Sequence, residues 1–424
     1  MGVKKGRKKY LASLLILATS SAVAGPRDQA KKLYSSLTGN TANKATADKY
    51  EAMVVSGELD AAARDMVEGN LGFYNVTLKN FFTPMSNEDG TQFAPLNDMT
   101  ATLIGATRDE INFFRVFWDN ILYQFDGTLI TNTATGIPSR YNSRKATNDW
   151  FYLSEVDTAV PLYNRTKNTM YEEAEKQNVP LGNRTHLKMS QQNTYTTRDQ
   201  AAIAGIFSTR AFAKAYYDAG TNRSVFSNFA KNFLCLEMEE LNDTTIPDYR
   251  VTRDVDRAPG GKTETYKTFC VGCHAGQDGL RGAFAYYDYA KGAMRYADHE
   301  DLDENGNIVS VGPVSPKINR NNIFPGGKIT TSDMWLNLWN EGQNAYIGWG
   351  PVTSGNGAKS IGKMFSETKQ VRKCLAQQVF TKMCFRAPAS EADKVSVSEL
   401  ADKFDKDGNM KNLFINAALI CIGE

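Results

Sequence analysis

Phe269-Cys270-Val271-Gly272-Cys273-His274, the stretch FCVGCH past the middle of the chain, decides how the rest is read. Two thiols separated by two residues can each add to one vinyl group on the same edge of a porphyrin. The adjacent histidine is then carried under the ring, where an imidazole nitrogen meets the iron. The spacing therefore predicts one covalently attached haem c on Cys270 and Cys273, with His274 as its proximal ligand. There is no second such motif, so a two-haem protein is not expected. Three other readings compete. A thioredoxin-like redox pair needs a βαβ pattern that the surrounding sequence lacks. A zinc site needs another ligand at close spacing, and His299 is the nearest spare. A plain disulfide is the third.

Around the motif, Phe284, Tyr286, Tyr287 and Tyr289 supply rings that can pack on a porphyrin, or equally an ordinary aromatic helix face. Arg281 and Arg295 are candidate partners for the propionates. A strong sixth iron ligand favours electron transfer, whereas an open position favours binding or activating a small molecule. Met334 and Met294 lead the candidates for that position, ahead of Met364, His299 and the upstream His186; an open or weakly held site is an equal expectation. DLDENGNIV from Asp301 resembles the start of a calcium loop. Its twelfth position is Gly312 where a bidentate glutamate is needed, so it reads as a turn between short strands. DKDGN at Asp405 has Lys403 where the first acid should stand, and reads as a helix-connecting turn.

The chain is 424 residues long and 42% apolar, enough for two or three domains with a real core. Its 49 basic and 47 acidic residues provide no broad cationic surface for nucleic acid. Lys4, Lys5, Arg7, Lys8 and Lys9 precede the apolar run LASLLILATSSAVA, which reads as a secretory signal cleaved after Ala24. The run is shorter than the roughly 20 residues that span a bilayer. Removing the five basic residues leaves 44 positive against 47 negative charges, a net −3. No other segment is apolar enough to cross a membrane, so a periplasmic or otherwise exported bacterial protein is expected. There Cys235, Cys374, Cys384 and Cys421 can form two disulfides, with three pairings open.

The fold class expected is mainly α, in three regions after the signal peptide of residues 1–24. A helical N-terminal region covers 25–255, a cytochrome c-like haem segment with long loops covers 256–357, and a C-terminal helical bundle covers 358–424. RDQAKKLYSSL and ELDAAARDMVEGN open the chain with helical patches. ATRDEINFFRVFWDNILYQF, AAIAGIFSTRAFAKAYYDAG and SVFSNFAKNFLCLEMEELND read as further helices, the second stopped by Gly220. Residues 126–200 read as long irregular connections, and TRDVDRAPGGKTE as a linker. The C-terminal region reads as three helices, broken at Pro388 and at Lys406-Asp407-Gly408.

LNDMTATLIGATRDEI, AGIFSTRAFAKAYYDAGTNRS, DVDRAPGG, CVGCHAGQDGLRGAFAYYDY and KSIGKMFSETKQVRKCLAQQVFTKMCFRAP together resemble exported bacterial proteins related to the planctomycete-type cytochrome domain family. The resemblance implies a cytochrome-like segment between two helical regions and supplies no reaction. Similar proteins often carry an Asp-Pro pair after the haem histidine, whereas here Gly279 follows Asp278. The helical tail also suggests a pairing of cysteines. Three helices running up, down and up bring Cys384 to Cys421. Ten residues along one helix, about 15 Å, separate Cys374 from Cys384, which leaves Cys374 for Cys235.

The leading functional expectation is a periplasmic monohaem cytochrome relaying single electrons to an unidentified redox partner protein. Its rivals are a haem enzyme activating oxygen or peroxide at an open site, and an envelope binding module with a structural haem. Protein recovered from a bacterial periplasm is expected to begin at Gly25, read by N-terminal peptide mass; an intact Met1 terminus on the exported protein contradicts the signal reading.

Overall fold

The computed structural model describes residues 24–423 except 126–128, 132–156, 160–162, 193–201, 218–221, 253, 291, 297, 303–307, 314–316, 320–327, 330 and 331. The protein is mainly helical, as expected. The signal segment, Ala24 excepted, lies outside the described residues. The first three helices are α1 (Pro26–Thr38), α2 (Lys44–Val55) and α3 (Leu59–Val67). Each boundary has a local cause. Pro26 opens α1 and Gly39 closes it in the left-handed region at φ 66°, while the Asn43 side chain accepts the Thr46 N–H to start α2. After a π-helical stretch and the short α4 (Lys79–Phe82), α5 (Asp98–Arg108) runs with every residue buried. It is the central helix.

The aromatic stretch expected as one helix after α5 is instead a bend, a 3₁₀ turn at Phe113–Phe117 and a strand at Leu122–Phe125. The buried Arg108 fixes the bend. Its guanidinium pairs with Asp109 and donates to the carbonyls of Leu181, Asn183 and Leu187, and Glu110 turns left-handed at φ 54°. Helix α6 (Thr169–Lys176) lies inside the region expected to be irregular. Helix α7 (Arg210–Tyr216) is shorter than expected, because Gly205 at φ 55° lies so close to the Val116 carbonyl that a side chain would collide with it. Its predicted stop at Gly220 lies outside the described residues. Helix α8 (Ser224–Phe229) continues as a π-helix to Leu234, and Cys235 ends it at φ 55°.

Helices α9 (Thr263–Phe269) and α10 (Val271–Leu280) carry the CXXCH motif. The chain then passes through short antiparallel strand pairs, among them Asp298–Leu302 with Ile308–Pro313, the pairing expected around the calcium-loop look-alike. The other ribbon that matters for the site pairs Met334–Leu336 with Ser354–Asn356.

The C-terminal region holds four helices rather than three: α11 (Gly357–Glu367), α12 (Lys369–Cys384), α13 (Glu391–Asp407) and α14 (Met410–Ile420). The extra break is Thr368. Its hydroxyl donates to the Met364 carbonyl and accepts the Gly350 N–H, while the Lys369 N–H turns to the Gly348 carbonyl. The loop at 348–350 thus satisfies backbone groups that a continuous helix would bond internally. The break at Gly408 is as read, with φ 61° closing α13 and Asn409 capping α14.

Regions distant in sequence share one hydrophobic core. Helices α1 and α3 lie against α14, and α12 against α1. Phe229 of α8 stacks on Phe365 of α11 with centroids 3.7 Å apart, and Phe207 meets Phe284 edge-on at 5.7 Å. Both cysteine pairings are those the helical tail suggested: Cys235–Cys374 at a Cα separation of 5.3 Å and Cys384–Cys421 at 5.2 Å. They close sequence separations of 139 and 37 residues. Loop entropy assigns more stabilisation to the longer, with about 2–5 kcal/mol the usual cost of removing either. Urea unfolding should show a larger loss for Cys235→Ala/Cys374→Ala than for Cys384→Ala/Cys421→Ala; the reverse order would count against this ranking.

Candidate functional site

Cys270 joins α9 to α10, and its carbonyl accepts the His274 N–H at 3.1 Å in the first turn of α10. One face of α10 is pressed flat on its neighbours. A β-carbon at Gly272, Gly276 or Gly279 would overlap the Asn242 side chain, the Trp339 indole or the Leu336 carbonyl, respectively. Glycine at these positions lets the helix seat against the ribbon beginning at Met334. The helix continues through Gly279 to Leu280.

Cys270 and Cys273 are the two cysteines left outside the disulfides, and both are partly exposed. The Cys273 sulfur lies 3.3 Å from the Met238 carbonyl, and burial, with a smaller contribution from nearby Glu239, pushes its thiol up. His274 is one residue further on, its side chain a quarter exposed. Its Nδ1 is buried without a hydrogen-bond partner and faces Oδ1 of Asp278, one turn later, at 3.7 Å. That is too long for a normal hydrogen bond and within ion-pair range.

Asp278 belongs to a cluster of charges withdrawn from water. Arg223 donates through Nε to Asp278 at 2.7 Å and through Nη2 to Asp254 at 3.0 Å. Arg281, fully buried, forks onto both oxygens of Asp254 at 2.9 Å each. The Thr252 N–H and hydroxyl reach Asp278 at 2.8 and 2.9 Å, and the same hydroxyl touches Asp254. Gln277 donates to the Arg223 carbonyl at 2.9 Å. Two cations and two anions balance the cluster. Burial alone would push both carboxyls up. Contacts from His274 and Arg223, with the charge of Arg281, hold Asp278 well below the usual carboxylate range; Arg281, Arg223 and Thr252 do so for Asp254.

Several residues singled out in the sequence have other occupations. Arg281 is fully buried and engaged by Asp254, and Arg295 is buried with its Nε directed to the Ala290 carbonyl. Phe284 and Tyr287 are core residues packed on Tyr217. The expected linker TRDVDRAPGGKTE places buried Asp254 at the centre of the cluster. Met294 is buried, whereas Met334 lies exposed on a strand that touches α10. The Met364 sulfur accepts from Asn337 and Thr368 at 3.9 and 3.8 Å. His186 stands before the strand Leu187–Ser190, and the His299 side chain lies outside the described residues.

Among the described residues, no group of three or more His, Cys, Asp or Glu side chains is arranged to hold a bare metal ion. Nor is any helix among them long and apolar enough to cross a membrane. Comparison with family models, curated proteins and solved structures returns no match.

The charge cluster gives a stability prediction with a definite sign. Asp254 and Asp278 are more acidic folded than unfolded, where an aspartate titrates near 3.9. Their contribution is therefore complete above about pH 4 and is lost as pH falls towards the lower folded values. Arg223→Met should cost about 3–5 kcal/mol at neutral pH, because it strands buried carboxylate. Urea midpoints measured against pH should also show a shallower acid loss for Asp254→Asn; an unchanged slope contradicts the assignment.

Proposed function

We propose that this chain is an exported monohaem c-type cytochrome-like protein that transfers single electrons. The observation that carries the reading is the pairing of cysteines. Four sulfurs are joined in two distant pairs, and the two left free are those of the CXXCH motif, beside a partly exposed imidazole. Cys270 and Cys273 would hold the porphyrin, each sulfur forming a carbon–sulfur bond as its thiol hydrogen passes to the vinyl group. His274 would present Nε2 to the iron while Nδ1 faces Asp278. Bound haem supplies reversible one-electron chemistry at iron.

The surroundings fit an apolar disc. Phe269, next to the first cysteine, is 76% exposed, and Tyr249 and Met334, on elements that touch α10, are 72% and 66% exposed. Exposed apolar side chains on elements that flank the motif are available to pack on a bound group. Two disulfides favour an oxidising compartment, in line with export to the periplasm. The resemblance to the planctomycete-type cytochrome domain proteins is part of the same reading. Outside the haem region, the helical scaffold offers surface for a redox partner protein.

The test is expression of the full chain in a bacterium equipped for cytochrome c maturation. Intact mass should rise by one haem, and Cys270→Ala/Cys273→Ala should abolish the gain while leaving both disulfides. A folded, colourless protein of apoprotein mass overturns the proposal. Visible spectra with and without carbon monoxide then separate the roles: indifference to the gas supports electron transfer, and rapid binding assigns a ligand-activating haem enzyme instead.

A further inference from the structure

We infer that Asp278 is the positioning residue for the proximal imidazole, acting as hydrogen-bond acceptor for Nδ1–H of His274 and lowering the reduction potential of the bound iron. The inference deepens the haem reading and rests on it. Three observations carry it. His274 Nδ1 is buried and lacks a hydrogen-bond partner, while Asp278 Oδ1 lies 3.7 Å away. The two residues are one helical turn apart on α10, so the ring and the carboxylate share a face by construction. The Asp278 side chain is fully buried and held by Arg223 and Thr252, so the acceptor is fixed and the ring turns to meet it. The remaining nitrogen, Nε2, then points away from the cluster.

The chemical consequence follows from the kind of acceptor. A ligating histidine whose second ring N–H meets a carboxylate is a stronger electron donor than one that meets a neutral carbonyl. Stronger donation favours the oxidised iron and moves the potential down. The cluster as a whole is neutral, with Arg223 and Arg281 balancing Asp254 and Asp278. Asp278 is thus distinguished from Asp254 by the direct contact. The group facing the ring belongs to a helix, and Arg223 and Thr252 brace it from two other parts of the chain. Asp278 does not touch substrate or iron, and its effect passes through His274.

The test uses the mature holoprotein. Asp278→Asn should keep one covalent haem by intact mass and raise the reduction potential. Asp254→Asn changes the cluster charge equally without touching His274, and should move the potential less. Equal shifts from the two variants, or none from Asp278→Asn, would overturn the inference and leave the haem reading intact. Should Asp278→Asn fail to fold, nuclear magnetic resonance of the wild-type ferric holoprotein decides the point. A His274 Nδ1 proton protected from solvent exchange supports the contact, and a rapidly exchanging one refutes it. Absence of haem from the wild-type protein overturns both this inference and the reading beneath it.

Discussion

Arg223, Asp254, Asp278 and Arg281 come from three parts of the chain and meet where water does not reach. Burying any one of these charges alone would cost several kcal/mol, so the four are mutually required. Their meeting ties the end of the α7–α8 connection to the segment before α9 and to α10 itself. Asp278, which His274 faces across 3.7 Å, is held in place by that agreement. A cluster of this kind gives little net stabilisation for its size, since desolvation offsets most of the attraction. What it does supply is geometry, because a bidentate arginine accepts a carboxylate in few orientations.

Two apolar features hold the rest of the molecule around this point. The aromatic core joins Phe207 and Phe229 from the N-terminal region, Phe284 from the segment after the motif and Phe365 from the C-terminal helices. The Cys235–Cys374 bond then fastens the end of the π-helical turn to α12. Together they place α10 on a rigid base with its glycine face pressed against Trp339 and Leu336. Its other face is given to charge. A pair of thiols at the start of such a helix keeps its spacing.

The pattern of exposure carries the functional reading further than burial does. Most large apolar side chains are inside, yet Tyr249, Phe269 and Met334 stand out on or beside the elements that flank the motif. On the proposed reading, a haem attached at the motif is what these side chains would pack on. On this reading the buried Asp278 sets the electron-donating strength of the proximal ligand, and the covering side chains limit the access of water to the ring. Those are two of the means by which a protein tunes iron chemistry.

From the sequence alone one could read the motif, the mainly helical class, helices α1 and α3, the Gly408 turn and the two cysteine pairings. All but the cysteine pairings are local, resting on a fixed spacing, a 3.6-residue repeat or a cap, and the pairings follow from the length and order of helices. Asp278 stands four residues after His274, a spacing that brings the two together only because α10 is a helix. The sequence was misleading where distant chain competed for backbone hydrogen bonds, as at Arg108 and Thr368, and where it pressed on the backbone, as at Gly205, after which the expected helix begins late. It was misleading again at Arg281, which sits near the haem motif in sequence but has Asp254 as its partner, from a segment that read as linker. Long-range desolvation decided those cases, because a buried charge or carbonyl takes whichever partner the fold brings to it, and adjacency in sequence does not show which one that is.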